Sequence, residues 1–255
     1  MIEFSHLCAG YDRKTVLRDV SFSLPDGEVT VILGPNGSGK STLLKTILGL
    51  SEVCGGRILL DGVPREALSP AEIARKAAYL PQSRRIPDIT VRRLVLHGRF
   101  PHLGFPRKYR KQDYEIADAA LRRVGIADLA ELPMARLSGG TRQKVYIAMA
   151  LAQDTPAILL DEPTTYLDIS HQLQVMELCR ELADSGKAVG MVLHDLDLAM
   201  QYADRLVLFE QGRLAGCGTP EELWESGLLD RVFDITVTRV PTGAGPRYFC
   251  TRPET

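Results

Sequence analysis

The pattern of hydrophobic and polar positions divides the chain into strand-like ends and a helical middle. Near the N-terminus, residues 2–7 and 20–24 alternate between apolar and polar, which predicts half-buried antiparallel strands. Other segments are short, nearly continuous apolar runs typical of strands covered on both faces: residues 29–33, 157–160, 188–193 and 205–209. Predicted helices near 170–184 and 195–202 separate the last three runs. This order predicts a mostly parallel α/β sheet.

The middle of the chain, about 86–152, has helical periodicity. Residues 113–124 are amphipathic, and Ser138 is placed to cap the N-terminus of the following helix. Before this stretch, the pattern predicts strands at 57–60 and 78–80 and a capping box at Ser69. We therefore predict a domain over 1–230 with a helical insertion at about 86–152. Residues 231–255 are expected to form a short strand-like extension.

Composition narrows the possible partners. The net charge of −1 gives no electrostatic case for binding nucleic acid. Two basic clusters, Arg84-Arg85 and Arg107-Lys108 with Arg110-Lys111, are interpreted as solvated faces, with an anionic partner as the alternative. The five scattered cysteines predict reduced thiols, without a disulfide framework or zinc site. No stretch approaches the ~18 apolar residues of a membrane span or resembles a signal peptide.

Residues 34–41, GPNGSGKS, match the phosphate-loop motif G-x-x-x-x-G-K-[ST] at every fixed position. They follow a predicted strand and open a predicted helix, which is the context that this motif requires. The glycines let backbone N–H groups surround phosphates, Lys40 supplies a positive charge, and the Ser41 hydroxyl can bind Mg²⁺. The motif predicts ATP contacts from consecutive residues: Gly34, Pro35, Asn36, Gly37, Ser38, Gly39, Lys40, Ser41 and Thr42.

Two further motifs add chemistry to this loop. The apolar run at 157–160 ends in Asp161 and Glu162, where ligands collect in open α/β sheets. Asp161 is predicted to hold Mg²⁺ and Glu162 to act as general base toward the attacking water. Residues 137–140, LSGG, offer a hydroxyl and bare backbone at a helix N-terminus, which predicts a second anion site at Ser138, Gly139 and Gly140.

Six motifs follow one another along the chain in an order that resembles the ATP-binding cassette (ABC) transporter ATPases over about residues 1–225: the phosphate loop, Gln82, LSGG, Asp161-Glu162, Asp168 and His194. The resemblance implies a P-loop NTPase (RecA-like) fold with an N-terminal antiparallel β-subdomain and an inserted helical subdomain. It also implies that two copies stack head to tail, so that each ATP lies between one phosphate loop and the partner's LSGG segment. The chain departs from the family pattern after LSGG, because Thr141 stands where the family usually has glutamine.

The resemblance assigns roles to four more residues. Tyr11 matches the aromatic residue that stacks on adenine, and Gln82 the residue that senses Mg²⁺ and the attacking water. Asp168 matches the loop that crosses the dimer interface, and His194 the histidine that contacts the γ-phosphate. The predicted catalytic set is therefore Glu162, His194, Gln82 and Lys40, and the predicted Mg²⁺ set is Ser41, Gln82 and Asp161. The remaining histidines are expected to be structural or exposed: His6, His97, His102 and His171.

Three local segments indicate a particular class of ABC transporter. Residues 96–102, 147–154 and 161–172 resemble importers of iron–siderophore, haem and cobalamin. The implied system contains two permease subunits, two copies of this chain at the cytoplasmic face of the membrane, and an extracytoplasmic binding protein. Ferric siderophore is the first choice of cargo. The alternatives are a cassette of another importer class or an exporter, a soluble cassette ATPase acting on DNA or ribosomes, and a small-molecule kinase.

Overall fold

The computed structural model describes residues 1–12, 14–82, 86–165, 167–243 and 245–253, so Arg84-Arg85 and Tyr166 lie outside it. The strands are β1 (Ile2–Tyr11), β2 (Lys14–Leu24), β3 (Val29–Leu33), β4 (Glu52–Leu60), β5 (Val63–Pro64), β6 (Ala77–Leu80), β7 (Ala157–Asp161), β8 (Ala188–Val192), β9 (Arg205–Glu210), β10 (Arg213–Gly218), β11 (Thr236–Thr242) and β12 (Gly245–Thr251). The α-helices are α1 (Lys40–Ile47), α2 (Pro70–Lys76), α3 (Val91–His97), α4 (Lys111–Arg123), α5 (Gly139–Ala152), α6 (Ile169–Asp184), α7 (Leu196–Tyr202), α8 (Pro220–Glu225) and α9 (Leu228–Phe233). None of these helices has the length and apolar character needed to cross a bilayer, within the part of the chain described.

The central sheet confirms the predicted parallel architecture. Its strand order is β10-β9-β3-β8-β7-β6, and only β10 runs antiparallel to its neighbour. Strands β3, β7 and β8 are buried along their whole length, because both faces of the sheet are covered by apolar clusters. The carboxyl ends of parallel strands share one edge, so the segments that follow β3, β6, β7 and β8 meet there.

The N-terminal strands form a separate antiparallel sheet, as predicted, and its strand order is β2-β1-β4-β5. The predicted strand at 57–60 was too short, since β4 begins at Glu52 and pairs there with Gly10 of β1. In the sequence, the glycine pair Gly55-Gly56 argues against a strand at this position. In the fold, Gly56 has a φ of 72°, and a Cβ on it would lie 2.2 Å from the His6 carbonyl oxygen. The glycines therefore allow close strand approach at a register shift.

The segment between β6 and β7 is helical, and the described residues from 86 to 152 add only the isolated bridge between Thr90 and Pro133. The predicted amphipathic helix is α4, and its buried residues join the core cluster shared with α3 and α5. Arg99 Nε donates to Asp113 Oδ1 at 3.1 Å, and both side chains are only 8% exposed. A buried ion pair needs its partners in place, so this contact ties the end of α3 to α4. The limits of the helical insertion stay a prediction.

The C-terminal extension is more than the strand-like tail predicted from the sequence. Helix α9 crosses residue 230, and β11 pairs with β12 in an antiparallel hairpin. The indole Nε1 of Trp224 donates to the Val237 carbonyl at 2.8 Å, and the Val237 amide donates to Asp230 Oδ1 at 3.0 Å. Val237 and Tyr248 are buried in the main apolar cluster. The hairpin therefore packs on the domain through its own apolar side.

Candidate nucleotide site

The loop between β3 and α1 has a conformation that requires glycine. Gly34 has a φ of 147°, and a Cβ there would lie 2.2 Å from the Phe209 carbonyl oxygen on β9. Gly39 has a φ of 105° and precedes α1, where a Cβ would lie 2.7 Å from a side-chain carbon of β2. The Ser38 amide donates to the Pro35 carbonyl at 3.2 Å and closes the turn. The loop therefore wraps the N-terminus of α1, where unpaired N–H groups favour anions.

Lys40 is held at the base of this loop. Its Nζ donates to the carbonyl oxygens of Gly34 at 2.7 Å and Pro35 at 3.0 Å, and the residue is 6% exposed. Burial lowers the pKa of Lys40, while the nearby carboxylates of Glu162 and Asp161 oppose that shift. Carbonyl oxygens position the ammonium without neutralising it. Lys40 can therefore offer its charge to an anion bound in the loop.

Ser41 and Asp161 form a pair of hard oxygen donors. Ser41 Oγ donates to Asp161 Oδ1 at 2.9 Å, and the Tyr79 hydroxyl donates to Oδ2 at 3.1 Å. Asp161 is 2% exposed, and burial raises the pKa of its carboxyl group despite these two hydrogen bonds. Mg²⁺ prefers one or two such oxygens and takes its other ligands from phosphates and water. The donors present therefore fit Mg²⁺.

The burial of the Asp161 carboxylate predicts an effect on the stability of the chain. Because the folded-state pKa of Asp161 lies above its ordinary value, the ionised carboxylate costs stability above that pKa, and the cost disappears as pH falls through it. We expect Asp161→Asn to stabilise the nucleotide-free chain at pH 7 by about 1 kcal/mol, or roughly 2–4 °C in Tm. Thermal unfolding at several pH values checks this, since the gain over wild type should shrink toward acidic pH.

The matched control for that measurement is Asp128→Asn, at an exposed carboxylate far from the site in sequence. It should leave Tm unchanged at every pH, because an exposed carboxylate loses little hydration on folding. A lower Tm for Asp161→Asn than for wild type at pH 7 would contradict the prediction. It would mean that the bonds from Ser41 and Tyr79 outweigh the burial cost.

Glu162 is the hub of a second cluster at the same edge. Its carboxylate accepts from Gln82 Nε2 at 2.6 Å, His194 Nε2 at 2.6 Å and Thr165 Oγ1 at 3.2 Å. The backbone is constrained as well, because Glu162 has a φ of 53° and its amide donates to the Val192 carbonyl at 3.2 Å. A non-glycine residue with positive φ is uncommon and concentrates at functional sites. Residues following β6, β7 and β8 thus converge on one carboxylate.

These groups surround a cleft of about 290 Å³. The lining combines the phosphate loop with the start of α1, the Glu162 carboxylate, the histidine that contacts it and one residue of β2: Val16, Asn36, Gly37, Gly39, Lys40, Ser41, Thr42, Glu162 and His194. Tyr11 is not part of this lining. It lies at the end of β1, is 37% exposed, and borders a smaller cleft with Lys14, Glu52 and Cys54.

The LSGG segment lies apart from the cleft of its own chain. Ser138 caps α5, and its Oγ accepts from the Thr141 amide at 3.2 Å and contacts Thr141 Oγ1 at 2.9 Å. Thr141 thus supports the cap. Beyond its own turn, an added Cβ on Gly139 would meet no atom of the described residues within 4 Å, and one on Gly140 would meet a Leu167 side-chain carbon at 3.6 Å. The first turn of α5 is therefore open toward solvent.

Asp168 caps α6 on the neighbouring loop. Its Oδ1 accepts from the His171 amide at 2.9 Å and lies 2.7 Å from His171 Nδ1. These contacts with His171 lower the pKa of Asp168. Helix α5 reaches this loop as well, since Gln143 Nε2 donates to the Pro163 carbonyl at 2.6 Å. The loop that leaves Glu162 is therefore attached to the helix that LSGG begins.

Sequence reasoning missed three groups of this site: Tyr79, Thr165 and Gln143. Tyr79 could have been noticed, because it is the one polar-tipped side chain in the apolar strand β6. Its contact with Asp161 spans 82 residues. Spacing along the chain gives no signal for such a contact.

The chain matches the family model described as ABC transporter over residues 17–165. It is 44% identical over 237 residues to the achromobactin transport ATP-binding protein of Dickeya dadantii, covering 92% of this chain and 88% of the relative. It is 42% identical over 231 residues to the ferric enterobactin transport ATP-binding protein of Escherichia coli, covering 90% and 85%. A cobalamin import ATP-binding protein of Halobacterium salinarum is 41% identical over 233 residues, covering 91% and 57%.

Solved structures agree with the fold. A metal-chelate type ABC transporter in an inward-facing conformation superposes with a TM-score of 0.83 at 27% identity, covering 98% of this chain and 96% of that chain. A nucleotide-free ATP-binding cassette superposes with a TM-score of 0.82 at 25% identity, covering 92% and 97%. The predicted P-loop NTPase fold is confirmed. With its family model, its relatives and its fold in agreement, the chain belongs to the ABC transporter family as an ATP-binding ATPase subunit.

Proposed function

We propose that this chain hydrolyses ATP to power an importer of metal chelates, with ferric siderophore as the first cargo. The observation that carries the catalytic part is the convergence of the phosphate loop, the Ser41–Asp161 pair and the Glu162 hub on one sheet edge. The cargo rests on the curated relatives, which are named for transport of achromobactin and ferric enterobactin. Haem and cobalamin are the next candidates, followed by another importer class or an exporter.

The phosphate loop would bind the triphosphate of ATP. Backbone N–H groups at the end of the loop and the start of α1 would face the phosphates, with Thr42 in the first turn of that helix. Lys40 would offer a charge already positioned by the carbonyl oxygens of Gly34 and Pro35. Tyr11 is proposed to stack on adenine. Its partly exposed ring at the end of β1 supports that role.

Ser41 and Asp161 would hold Mg²⁺, and Gln82, which donates to the Glu162 carboxylate, would complete the set around the ion. When bound, the ion would neutralise charge that develops on the phosphate oxygens. Proper positioning of Asp161 depends on the Tyr79 hydroxyl, which holds one carboxylate oxygen at 3.1 Å.

Glu162 would act as general base. Its carboxylate would accept a proton from the water that attacks the terminal phosphoryl group, while Gln82 and Thr165 hold the carboxylate in place. His194 contacts the other carboxylate oxygen at 2.6 Å and would contact the γ-phosphate when ATP is bound. Phosphoryl transfer needs mainly positioning and charge stabilisation from the protein, which this cluster can supply.

A second copy of the chain would complete the site. Ser138, Gly139, Gly140 and Asp168 lie outside the lining of the cleft, while the first turn of α5 is open. The proposed dimer places these residues of one copy against the ATP of the other. Binding would hold the copies together, and hydrolysis would let them separate.

The remaining assembly follows from the proposed import. Integral-membrane permease subunits would dock beside Gln82 and the helical insertion at about 86–152, at the cytoplasmic face of the membrane. An extracytoplasmic binding protein would deliver the cargo. Within this chain, residues 1–230 would form the ATPase domain and residues 231–255 a short extension.

Reconstituted transport tests this proposal. The chain, co-purified with its permease in proteoliposomes, should take up a ferric siderophore only with internal Mg-ATP and the binding protein. Uptake should exceed that of haem or cobalamin. Preferred uptake of haem or cobalamin would reassign the cargo, and movement of a substrate outward would replace import with export.

A further inference from the structure

The loop leading into α4 exposes an aromatic side chain at its tip. Phe105 is 100% exposed, and Phe100 at the base of the loop is 43% exposed. A phenylalanine fully in water is not explained by folding, because burial of its ring would stabilise the chain. The residues around it, 104–108, are exposed as well. The tip therefore projects from the protein surface.

Four cations follow the exposed ring within six residues: Arg107, Lys108, Arg110 and Lys111. Their one ion pair among the described residues joins Lys111 Nζ to Glu115 at 3.6 Å, with both side chains largely exposed. Such a pair contributes little. The loop is thus a concentrated positive patch on a chain whose net charge is −1.

The stability of α4 does not account for these cations. Arg110 is the N-cap and Lys111 the first residue of the helix, where the helix dipole disfavours positive charge. Asp113 compensates from within the first turn, since its Oδ2 accepts from the Arg110 amide at 2.8 Å. Cations at a helix N-terminus that do not stabilise the helix indicate a functional role.

The base of the loop is fixed. Asp113 also accepts from the buried Arg99, and His102 Nε2 lies 2.7 Å from the Gln153 carbonyl oxygen. The ring of Tyr109 stacks on Phe100 with centroids 5.8 Å apart. These contacts hold the exposed tip at a set position, so that little order is lost when it binds a partner.

We propose that residues 104–111 form a membrane-contact loop that binds the anionic headgroups of the bilayer. Phe105 would enter the headgroup region, and the four cations would bind lipid phosphates. A bilayer fits better than a protein because one convex ring flanked by cations needs no matching cavity in its partner. The proposal rests on the proposed location at the membrane, and it is independent of the cargo.

Co-sedimentation with lipid vesicles tests the loop directly. The full chain should bind vesicles of phosphatidylglycerol and phosphatidylcholine, and bind pure phosphatidylcholine weakly. Neutralising one cation should weaken binding roughly fivefold, the change that about 1 kcal/mol per basic residue produces. The quadruple change R107Q/K108Q/R110Q/K111Q should abolish measurable binding, and Phe105→Ala should reduce it roughly tenfold. High salt should mimic the quadruple change.

The matched control is R57Q/R122Q/R213Q/R252Q, which removes the same charge from exposed arginines elsewhere. It should retain vesicle binding, and all variants should keep wild-type ATP binding, which shows that they fold. Equal losses in both quadruple variants would overturn the loop assignment in favour of net charge. If the loop variant R107Q/K108Q/R110Q/K111Q no longer co-purified with the permease but still bound vesicles, the loop would be assigned to a protein contact instead of a lipid contact. Absence of lipid binding in an active ATPase would reject this proposal and leave the proposed function intact.

Discussion

Glu162→Gln should slow ATP hydrolysis by roughly 10²–10⁴-fold, the usual contribution of a general base. The amide keeps the shape of the carboxylate, so the side chain can still accept from Gln82 or donate to His194. It cannot take up the proton of the attacking water. The measurement is phosphate release at saturating Mg-ATP, beside equilibrium binding of ATP, which should stay within a few-fold of wild type.

We also expect the ATP-bound state of the Glu162→Gln chain to persist. Because the proposed dimer is held together by ATP, the Glu162→Gln chain should run as a dimer in size-exclusion chromatography with Mg-ATP and as a monomer without it. The matched control is Glu225→Gln, an exposed glutamate on α8, which should hydrolyse ATP normally. Wild-type turnover in Glu162→Gln would remove Glu162 from the mechanism. Loss of ATP binding in the same variant would instead assign the residue to the fold of the site.

The sequence predicted those parts of the site that local chemistry determines. A glycine loop between a buried strand and a helix is specified within nine residues, because Gly34 and Gly39 occupy backbone angles that other residues rarely adopt. The positions of Asp161 and Glu162 could also be predicted locally, because they lie at the carboxyl end of an apolar strand, and such ends line the ligand-binding edge of the sheet. Roles that came from the family resemblance, such as those of Tyr11 and Asp168, stay proposals.

What the sequence did not predict depends on contacts between distant segments. The hydrogen bond from Gln82 to Glu162 spans 80 residues and that from His194 spans 32, so only strand order brings them together. The length of strand β4 was underestimated because Gly55-Gly56 favours no strand locally, and β4 continues through this pair only because β1 lies beside it. The C-terminal hairpin could not be predicted to pack on the domain, because its few apolar residues gain a partner only in the fold.

Gly139→Glu and Lys40→Met should each reduce hydrolysis by roughly 10²-fold or more, the scale of losing a key electrostatic contact to the reacting phosphate. Gly139 is suited to this test because it is exposed and an added Cβ meets no atom beyond its own turn in the described part of the chain. An acidic residue in the first turn of α5 also favours the helix dipole. The variant should therefore fold normally and disturb only a phosphate bound by another copy. Gly139→Ala is the matched control and should stay active.

Mixing the two inactive variants decides where the second half of the site comes from. In a mixed dimer, the Gly139→Glu chain contributes an intact phosphate loop and the Lys40→Met chain an intact LSGG segment, so one of the two sites is whole. Random pairing at equal amounts should then restore about one quarter of the wild-type sites. A smaller but measurable recovery would report coupling between the two sites. If LSGG served the ATP of its own chain, every site in the mixture would carry one of the changes, and no activity would return.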